Sequence, residues 1–279
     1  MTRAPVAPRI LGIVNVTPDS FSGDGRATDA AIAHAQVLIE AGADMLDIGG
    51  ESTRPGAAPV TPEQEIARVL PVIRALAGRI PISIDTRHAA TMRAALVAGA
   101  QVINDVTALR HDRAAEAVVL QARCPVILMH MPGTDPATMQ SLAHYDDVVA
   151  DVRTHLLARA AHLEARGLAR DRITLDPGIG FGKTLQHNLA LLRALPGLVA
   201  TGYPILLGAS RKRFIGALDR DAPADQRLAG SLAVALHGAA AGVAWLRVHD
   251  VAETRQALAI WQAIHGASEM PRPGLNPPA

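Results

Sequence analysis

Acidic and amide side chains follow short apolar runs at several points in the chain. Asp85 comes directly after PISI, Asp176 after ITL and Asn104 after QVI. A carboxylate at the end of a buried run is poorly solvated and needs hydrogen-bond donors. Around one cavity, these groups could bind a heterocycle with adjacent N–H groups, such as an aminopyrimidinone, through paired hydrogen bonds. Any one of them could equally cap a neighbouring loop, but three on separate strands favour a functional site.

Lysine is almost absent from the chain. Of 27 basic residues only Lys183 and Lys212 are lysine, and they lie in the segments DPGIGFGK and GASRKRF. The lysine ammonium is a compact charge that differs from arginine in hydration and hydrogen-bond geometry, so we expect lysine to be kept where that difference matters. Chance placement on the surface is the alternative. Because both segments follow predicted strands, we expect both lysines at the functional end of the fold.

Two further segments have the residue types of an anion site. GGESTRPGA supplies Ser52, Thr53 and Arg54, and RVHD supplies Arg247 and His249. Glycine allows close approach of the backbone, and hydroxyl, guanidinium and imidazole groups donate to phosphate oxygens. Together the segments indicate a phosphorylated substrate, although STRPG alone would also fit a solvated turn.

The end of the first apolar run offers oxygen donors. Asn15 ends this run and is followed by Thr17, Asp19 and Ser20. Such hard oxygens suit a Mg²⁺ ion that keeps most of its water ligands. The segment is therefore a candidate magnesium site.

Eight short apolar runs recur along the chain, separated by amphipathic segments of helix length. This pattern is typical of parallel strands buried on both faces and joined by crossover helices, and eight such units predict a (β/α)8 barrel. The loops after the strands of such a barrel converge at one end, where its chemistry takes place. The chain has 279 residues and no Pro/Gly/Ser-rich linker. We predict a single domain, with an N-terminal extension at 1–9, the barrel at 10–267 and a disordered, Pro-rich tail at 268–279.

Composition and missing motifs exclude several function classes. A net charge of +1 supplies no long-range field for nucleic acid or membranes. The N-terminus lacks the apolar region of a signal peptide and no run is long enough to span a membrane, so we expect a cytoplasmic protein.

Cys124 is the single cysteine and is expected to be a buried structural thiol. The sequence contains no H-x-H after the first strand, no H-E-x-x-H and no P-loop, and His130 in its apolar MHM context is expected to be structural.

Eight segments taken together resemble the dihydropteroate synthase family. In order they are LGIVNVTPDSFS, DIGGESTRPGA, SIDT, INDV, LMHM, DPGIGFGKT, GASRKRF and RVHDV, over about residues 10 to 265. The resemblance implies a homodimeric, pterin-binding barrel of folate biosynthesis. Such an enzyme joins p-aminobenzoate to 6-hydroxymethyl-7,8-dihydropterin diphosphate, releases diphosphate and uses Mg²⁺, and it is the target of sulfonamides.

The resemblance also implies roles for individual residues. It assigns the pterin to Asp85, Asn104, Asp176 and Lys212, with Arg247 against its face, and Mg²⁺ to Asn15. It assigns the diphosphate to Thr53, Arg54, Arg247 and His249, and the p-aminobenzoate pocket to Phe21, Pro55, Phe181 and the stretch from Ser210 to Arg213. Among these, Arg54, Lys212, Arg247 and His249 are the implied catalytic residues.

The implied chemistry agrees with the residues present. Loss of diphosphate from a methylene needs stabilised leaving-group charge, and the electron-rich pterin can support a developing carbocation. No protein nucleophile is required, so we predict a dissociative substitution in which the protein contributes positioning and electrostatics.

Two other functions remain as alternatives at this point. They are a pterin-dependent methyltransferase, which would share the barrel and its Asp/Asn set, and a non-catalytic paralogue that only binds pterins. The first loop, SFSGDGRATDAAIAHA, is shorter than in the family, and MPGTDPATMQ is one residue longer. These two loops are the departures from the family pattern.

Overall fold

Strands and helices alternate along the part of the chain that the structure describes. The computed structural model describes residues 6–17, 26–52, 59–266 and 268–269. The strands are β1 (Val6–Ala7), β2 (Arg9–Asn15), β3 (Met45–Gly49), β4 (Ile82–Asp85), β5 (Val102–Asp105), β6 (Val126–Met129), β7 (Ile173–Asp176), β8 (Leu206–Leu207), β9 (Trp245–Val248) and β10 (Ser268–Glu269). The helices are α1 (Arg26–Glu40), α2 (Pro62–Leu76), α3 (Ala89–Ala98), α4 (Ala115–Ala122), α5 (Val148–Ala165), α6 (Leu185–Arg193), α7 (Leu195–Val199), α8 (Arg213–Leu218), α9 (Leu228–Ala241) and α10 (Val251–His265).

The strands β2 to β9 form one parallel sheet that closes on itself. Their order is β7-β6-β5-β4-β3-β2-β9-β8. A parallel bridge between Leu175 of β7 and Ile205, just before β8, joins the two ends. All five residues of β3 are buried, because one face of each strand fills the barrel and the other packs under the helices. The predicted (β/α)8 barrel is confirmed.

An apolar layer fills the amino-terminal half of the barrel. It consists of Leu11, Met45, Val102, Ile127 and Leu206, with Trp245 packed against them. Side chains alternate between the two faces of a strand, so residues two positions further along face the same interior. The apolar layer therefore closes one end of the barrel, and the next interior layer lies towards the carboxyl ends of the strands.

Local signals explain where the helices begin. Thr61 caps α2 through a capping box with Gln64, and Pro62 occupies the first turn, where its missing N–H costs nothing. Asp147 caps α5 by accepting hydrogen bonds from the backbone N–H groups of Val149 and Ala150. In both helices the cap therefore satisfies backbone N–H groups of the first turn, which have no partner within the helix.

A short sheet lies outside the barrel, where the two ends of the described chain meet. Val6 and Ala7 pair in parallel with Ser268 and Glu269. The predicted boundary between barrel and tail falls at this pair, and residues 270–279 lie outside the described residues. No helix in the described ranges is long and apolar enough to cross a membrane.

Candidate active site

The interior layer above the apolar one is polar and charged. Two residues beyond Met45, Val102 and Trp245 on their strands lie Asp47, Asn104 and Arg247. The Arg247 Nε donates to Asp47 Oδ2 at 2.6 Å, and its Nη2 donates to Asp85 Oδ2 at 2.7 Å. Asn104 Nδ2 donates to the same Asp47 oxygen at 3.0 Å. Four strands thus bring the predicted residues Asp85, Asn104 and Arg247 into one network.

Asp47 is the member of this network that the sequence prediction missed. It lies inside the apolar run MLDIGG rather than at its end, and it is fully buried. A charged residue in the middle of a buried strand is rare unless it is paired, so its presence was the available signal. Its Oδ1 has no hydrogen-bond partner among the described residues. This buried acceptor lies beside the groups predicted to bind the pterin.

The charges of this layer shift one another's protonation. Burial, together with the negative charge of Asp47, raises the pKa of Asp85 to about 7, although Arg247 opposes the shift. Burial would lower the pKa of Arg247, but Asp47 and Asp85 raise it above its ordinary value. The guanidinium therefore stays charged and compensates the two carboxylates, as a buried carboxylate pair requires.

We expect Asp47→Asn to weaken both folding and pterin binding. The change leaves Arg247 with a single carboxylate partner, and loss of a partner from a buried ion pair costs about 3 to 5 kcal/mol, with the lower part of this range expected because Asp85 remains. The measurements are chemical unfolding and calorimetric binding of a pterin. Asp44→Asn is the matched control, because Asp44 accepts from Arg255 at 2.6 Å just before β3 starts, at the opposite end of the barrel. An unchanged pterin affinity in Asp47→Asn would separate Asp47 from the site.

Asp176 and Lys212 form a second part of the site. Asp176 ends β7, is buried and accepts from the backbone N–H of Gly178 at 2.7 Å. Lys212 lies at the N-cap of α8, and its Nζ donates to the carbonyl oxygen of Ile179 and lies 4.4 Å from the centre of the Phe181 ring. Burial lowers the pKa of Lys212 to about 8, although Asp176 opposes the shift.

The first and second parts of the site lie side by side. A Cβ built on Gly208 would lie 3.7 Å from both Asp176 Oδ2 and Arg247 Cβ. The Asp176 carboxylate and the Arg247 side chain therefore both lie within van der Waals range of this position. The predicted pterin residues Asp85, Asn104, Asp176, Lys212 and Arg247 all lie at the carboxyl end of the barrel.

The turn that carries Lys212 is held by its neighbours. Arg211 has a positive φ of 58°, and its guanidinium pairs with Asp250 through Nε at 3.0 Å and through Nη2. Its backbone N–H donates to Ser231 Oγ at 2.9 Å. Arg213 is the first residue of α8 and is exposed. The ion pair therefore supports a backbone conformation that a non-glycine residue rarely adopts.

Ser210 and His249 contact each other at the ends of β8 and β9. Ser210 Oγ accepts from the backbone N–H of His249 at 3.3 Å and lies 3.0 Å from its ring Nδ1. The hydroxyl hydrogen is still available to donate to Nδ1, and this arrangement places the ring proton on Nε2; the opposite direction of the bond belongs to the other tautomer of His249. Ser210 was predicted to line the p-aminobenzoate pocket. The structure places its hydroxyl beside His249, which is predicted to bind the diphosphate. The contact of Ser210 with p-aminobenzoate stays a prediction.

We expect Ser210→Ala to release this tautomer of His249. Without the hydroxyl, Nδ1 loses its donor, and the proton can exchange between the two ring nitrogens. The two-bond ¹H–¹⁵N spectrum of the imidazole should show an Nδ1 shift of an unprotonated nitrogen in the wild type and an averaged shift in the variant. An identical ring spectrum in both proteins would show that Ser210 does not set the tautomer.

The remaining predicted residues have different outcomes. Asn15 ends β2 half-buried, in register with Gly49 and on the same strand face as Leu11. Lys183 lies in the predicted loop after β7, but its side chain is buried beneath that loop instead of facing the cavity. Four predicted site residues lie outside the described residues, and their roles stay predictions: Phe21, Thr53, Arg54 and Pro55.

The chain is similar to known proteins over most of its length. Residues 11–249 match the family model described as pterin binding enzyme. The dihydropteroate synthase of Neisseria meningitidis serogroup C is 52% identical over 263 residues, which cover 92% of this chain and 93% of that protein. A structure of dihydropteroate synthase from Xanthomonas albilineans in complex with 7,8-dihydropteroate is 48% identical with a TM-score of 0.83, covering 92% of this chain and 94% of that one. The Yersinia pestis enzyme in a sulfonamide drug complex is 43% identical with a TM-score of 0.87, covering 94% and 95%.

Proposed function

The chain belongs to the dihydropteroate synthase family of pterin-binding enzymes, and from this premise we propose which of its residues perform each part of the reaction. It is a transferase that condenses 6-hydroxymethyl-7,8-dihydropterin diphosphate with p-aminobenzoate to give 7,8-dihydropteroate and diphosphate. The observation that supports the proposed roles is the convergence of Asp47, Asp85 and Asn104 on Arg247 at the carboxyl end of the barrel.

We propose that the pterin ring lies over this network. Asp85 and Asp176 supply carboxylate acceptors for its amino and ring N–H groups, and Asn104 contributes an amide that already contacts Asp47. The site is largely buried, so each unmatched polar group would cost free energy on binding. The charge of Arg247 is compensated by Asp47 and Asp85, and its guanidinium can lie against the ring face.

We propose that the diphosphate binds on the side of His249. The Nε2–H of this ring can donate to a phosphate oxygen, since Ser210 holds the other nitrogen. Arg247 uses Nε–H and one N–H of Nη2 for the two carboxylates, so its direct contribution to the diphosphate comes from the remaining N–H donors, on Nη1 and Nη2, and from its charge. The predicted contributions of Thr53 and Arg54 complete this side.

Asn15 is the proposed protein ligand for Mg²⁺. Its amide oxygen is a hard donor at the carboxyl end of β2, the end at which the other site residues lie, and this fits an ion that prefers oxygen ligands and keeps several waters. When bound, the ion would neutralise charge on the departing diphosphate.

The reaction that follows from these roles is a dissociative substitution. The pterin supports positive charge at the methylene as the bond to diphosphate breaks. The amine of p-aminobenzoate forms a bond to the same carbon and loses one proton to water or to the departing diphosphate. Lys212 Nζ lies between the Ile179 carbonyl and the Phe181 ring, within the electrostatic influence of Asp176, and we place it at the border of the two substrate sites. The protein supplies orientation and fixed charges, and the amine of p-aminobenzoate is the nucleophile.

A coupled assay of diphosphate release tests this function. Release is expected only when the pterin diphosphate and p-aminobenzoate are both present, and 7,8-dihydropteroate should accumulate in equal amount. A pterin-dependent methyltransferase or a non-catalytic paralogue would bind a pterin without releasing diphosphate. Pterin binding in calorimetry together with no release would therefore contradict the proposed function of the site.

We further propose that the protein is a cytoplasmic homodimer. Ile260 and Ile264 of α10 are 60% and 72% exposed, one helical turn apart. Helix α10 packs beside α9, whose residues Ala229 and Ala233 are also exposed. Exposed small and apolar residues on two adjacent helices suit close packing against a second copy. Size-exclusion chromatography with light-scattering detection measures the mass. A monomer at the concentration of the activity assay would contradict the dimer.

A further inference from the structure

Lys183 is a buried cation that the proposed mechanism does not use. Lys183 as a whole is only 5% exposed. The Nζ donates to the carbonyl oxygens of Phe181 at 3.0 Å and His130 at 3.1 Å. It also lies 3.0 Å from Nδ1 of the His130 ring. An ammonium has three N–H donors, and each has an acceptor here.

The third of these contacts determines the state of His130. An ammonium cannot accept a hydrogen bond, so Nδ1 is the acceptor and the ring proton lies on Nε2. Burial, together with the charge of Lys183, lowers the pKa of His130 to about 2, so the ring stays neutral. Lys183 therefore connects the end of β6 with the loop after β7. Because His130 is neutral, it accepts a hydrogen bond from the ammonium and does not repel it.

The loop that Lys183 holds is a tight turn built on glycine. Gly178, Gly180 and Gly182 have φ values of +67°, +83° and +59°. A Cβ on Gly178 would lie 2.0 Å from the His130 carbonyl oxygen, so the turn packs directly on the end of β6. Asn188 Oδ1 accepts from the backbone N–H of Gly180 at 2.7 Å. Glycine makes this conformation possible, but it also gives the turn little stiffness of its own.

The same turn presents several groups to the proposed substrate sites. Asp176 precedes it and accepts from Gly178, the Ile179 carbonyl accepts from Lys212, and the Phe181 ring lies against the Lys212 ammonium. Lys183 donates to the carbonyl of Phe181 itself. Any shift of the turn would therefore move the Phe181 ring and the Lys212 ammonium together.

We propose that Lys183 is a positioning residue for p-aminobenzoate binding: it holds the Asp176–Lys183 turn on the end of β6 and so sets the Phe181 ring against Lys212. It acts through the turn and contacts neither substrate. The inference rests on the proposed function for the p-aminobenzoate site, and it explains why one of the two lysines of the chain lies beneath the cavity.

The variant Lys183→Met tests this role, because it keeps the length and the apolar stem but removes all three donors. We expect the KM for p-aminobenzoate to rise about 10-fold or more. A shift of the Phe181 ring and Lys212 by up to about 1 Å would be enough, because misplacement on that scale can cost about 100-fold in activity. The affinity for the pterin should change less than about 3-fold, because Asp85 and Asn104 lie on other strands and the cost of a lost contact is local. If Lys183 only stabilised the fold, its replacement would lower the unfolding temperature without raising the KM for p-aminobenzoate more than it weakens pterin binding.

Tyr145→Phe is the matched control. The Tyr145 hydroxyl donates to the Gly182 carbonyl oxygen at 3.0 Å, so its removal deletes a single hydrogen bond to the same turn. We expect the KM of this variant to stay close to the wild-type value. Lys183→Gln, whose shorter side chain retains N–H donors, should give an intermediate KM and serves as the second variant if Lys183→Met does not fold. A wild-type KM in either folded Lys183 variant would overturn the proposal.

A spectroscopic measurement separates this inference from the proposed function. Burial lowers the pKa of Lys183 to about 7, although Asp176 opposes the shift, so the ¹⁵N spectrum of the wild-type protein is recorded at about pH 6, where Lys183 is charged. We expect the shift of an unprotonated Nδ1 for His130. A protonated Nδ1 would overturn the contact and the proposal with it. Absence of diphosphate release by the wild type would instead contradict the function and leave this spectrum unchanged.

Discussion

Replacing Asp85 with alanine is expected to weaken pterin binding strongly, as measured by calorimetry. The pterin would lose the acceptor for its amino and ring N–H groups in a site with little access to water. Each unpaired donor costs about 1 to 3 kcal/mol, so two donors weaken binding by about 30-fold or more. The fold should survive, because Arg247 keeps its contact with Asp47 at 2.6 Å.

The isosteric variant Asp85→Asn separates charge from shape. It keeps the side-chain volume but places a donor or a weaker neutral acceptor opposite the pterin, so we expect its affinity to be reduced as well. Thermal unfolding of both variants checks that the barrel remains intact. Wild-type pterin affinity in a folded Asp85→Ala protein would remove Asp85 from the site.

Lys212→Arg is expected to reduce turnover by about 10-fold or more, a loss in the range associated with misplaced catalytic groups. The positive charge is retained, but the planar guanidinium is wider than an ammonium and needs a different set of acceptors. In the structure the Lys212 stem lies against Gly180, where a Cβ would be only 3.0 Å from Lys212 Cδ, and its Nζ lies between the Ile179 carbonyl and the Phe181 ring. Steady-state rates with both substrates measure the effect.

Lys212→Met is the companion variant, because it removes the charge and retains the stem. If a compact charge is required, both variants should lose activity, and Lys212→Met should lose at least as much. If Lys212→Arg turned over at nearly the wild-type rate, the geometry of the ammonium would be irrelevant and the scarcity of lysine would carry no functional meaning.

The sequence was sufficient to predict the barrel and most of one interior layer. The strand pattern is local, because the alternation of faces and the length of an apolar run depend on neighbouring residues only. A parallel barrel then brings every strand end to the same side, so the sequence alone places Asp85, Asn104 and Asp176 together. Lys212 was singled out by the scarcity of lysine, and Arg247 and His249 by their residue types. The resemblance to the family then assigned them roles in this set.

Some assignments needed contacts between distant parts of the chain. Asp47 is not at a strand end, and its role depends on Arg247, which lies 200 positions away in sequence. Lys183 and Lys212 occur in similar Gly-rich loops, yet one is directed beneath its loop to His130 and the other lies against Phe181. No local pattern distinguishes these two directions.

The sequence by itself determined the architecture, the end of the barrel at which the chemistry takes place and the residue types available there. Only the tertiary structure decided which charges pair, which lysine is buried and which hydroxyl orients His249. The physical reason is that strand and helix formation follow from short-range periodicity. Pairing inside a cavity, in contrast, is decided by distances of a few ångströms between strands, over which electrostatic and desolvation energies change steeply.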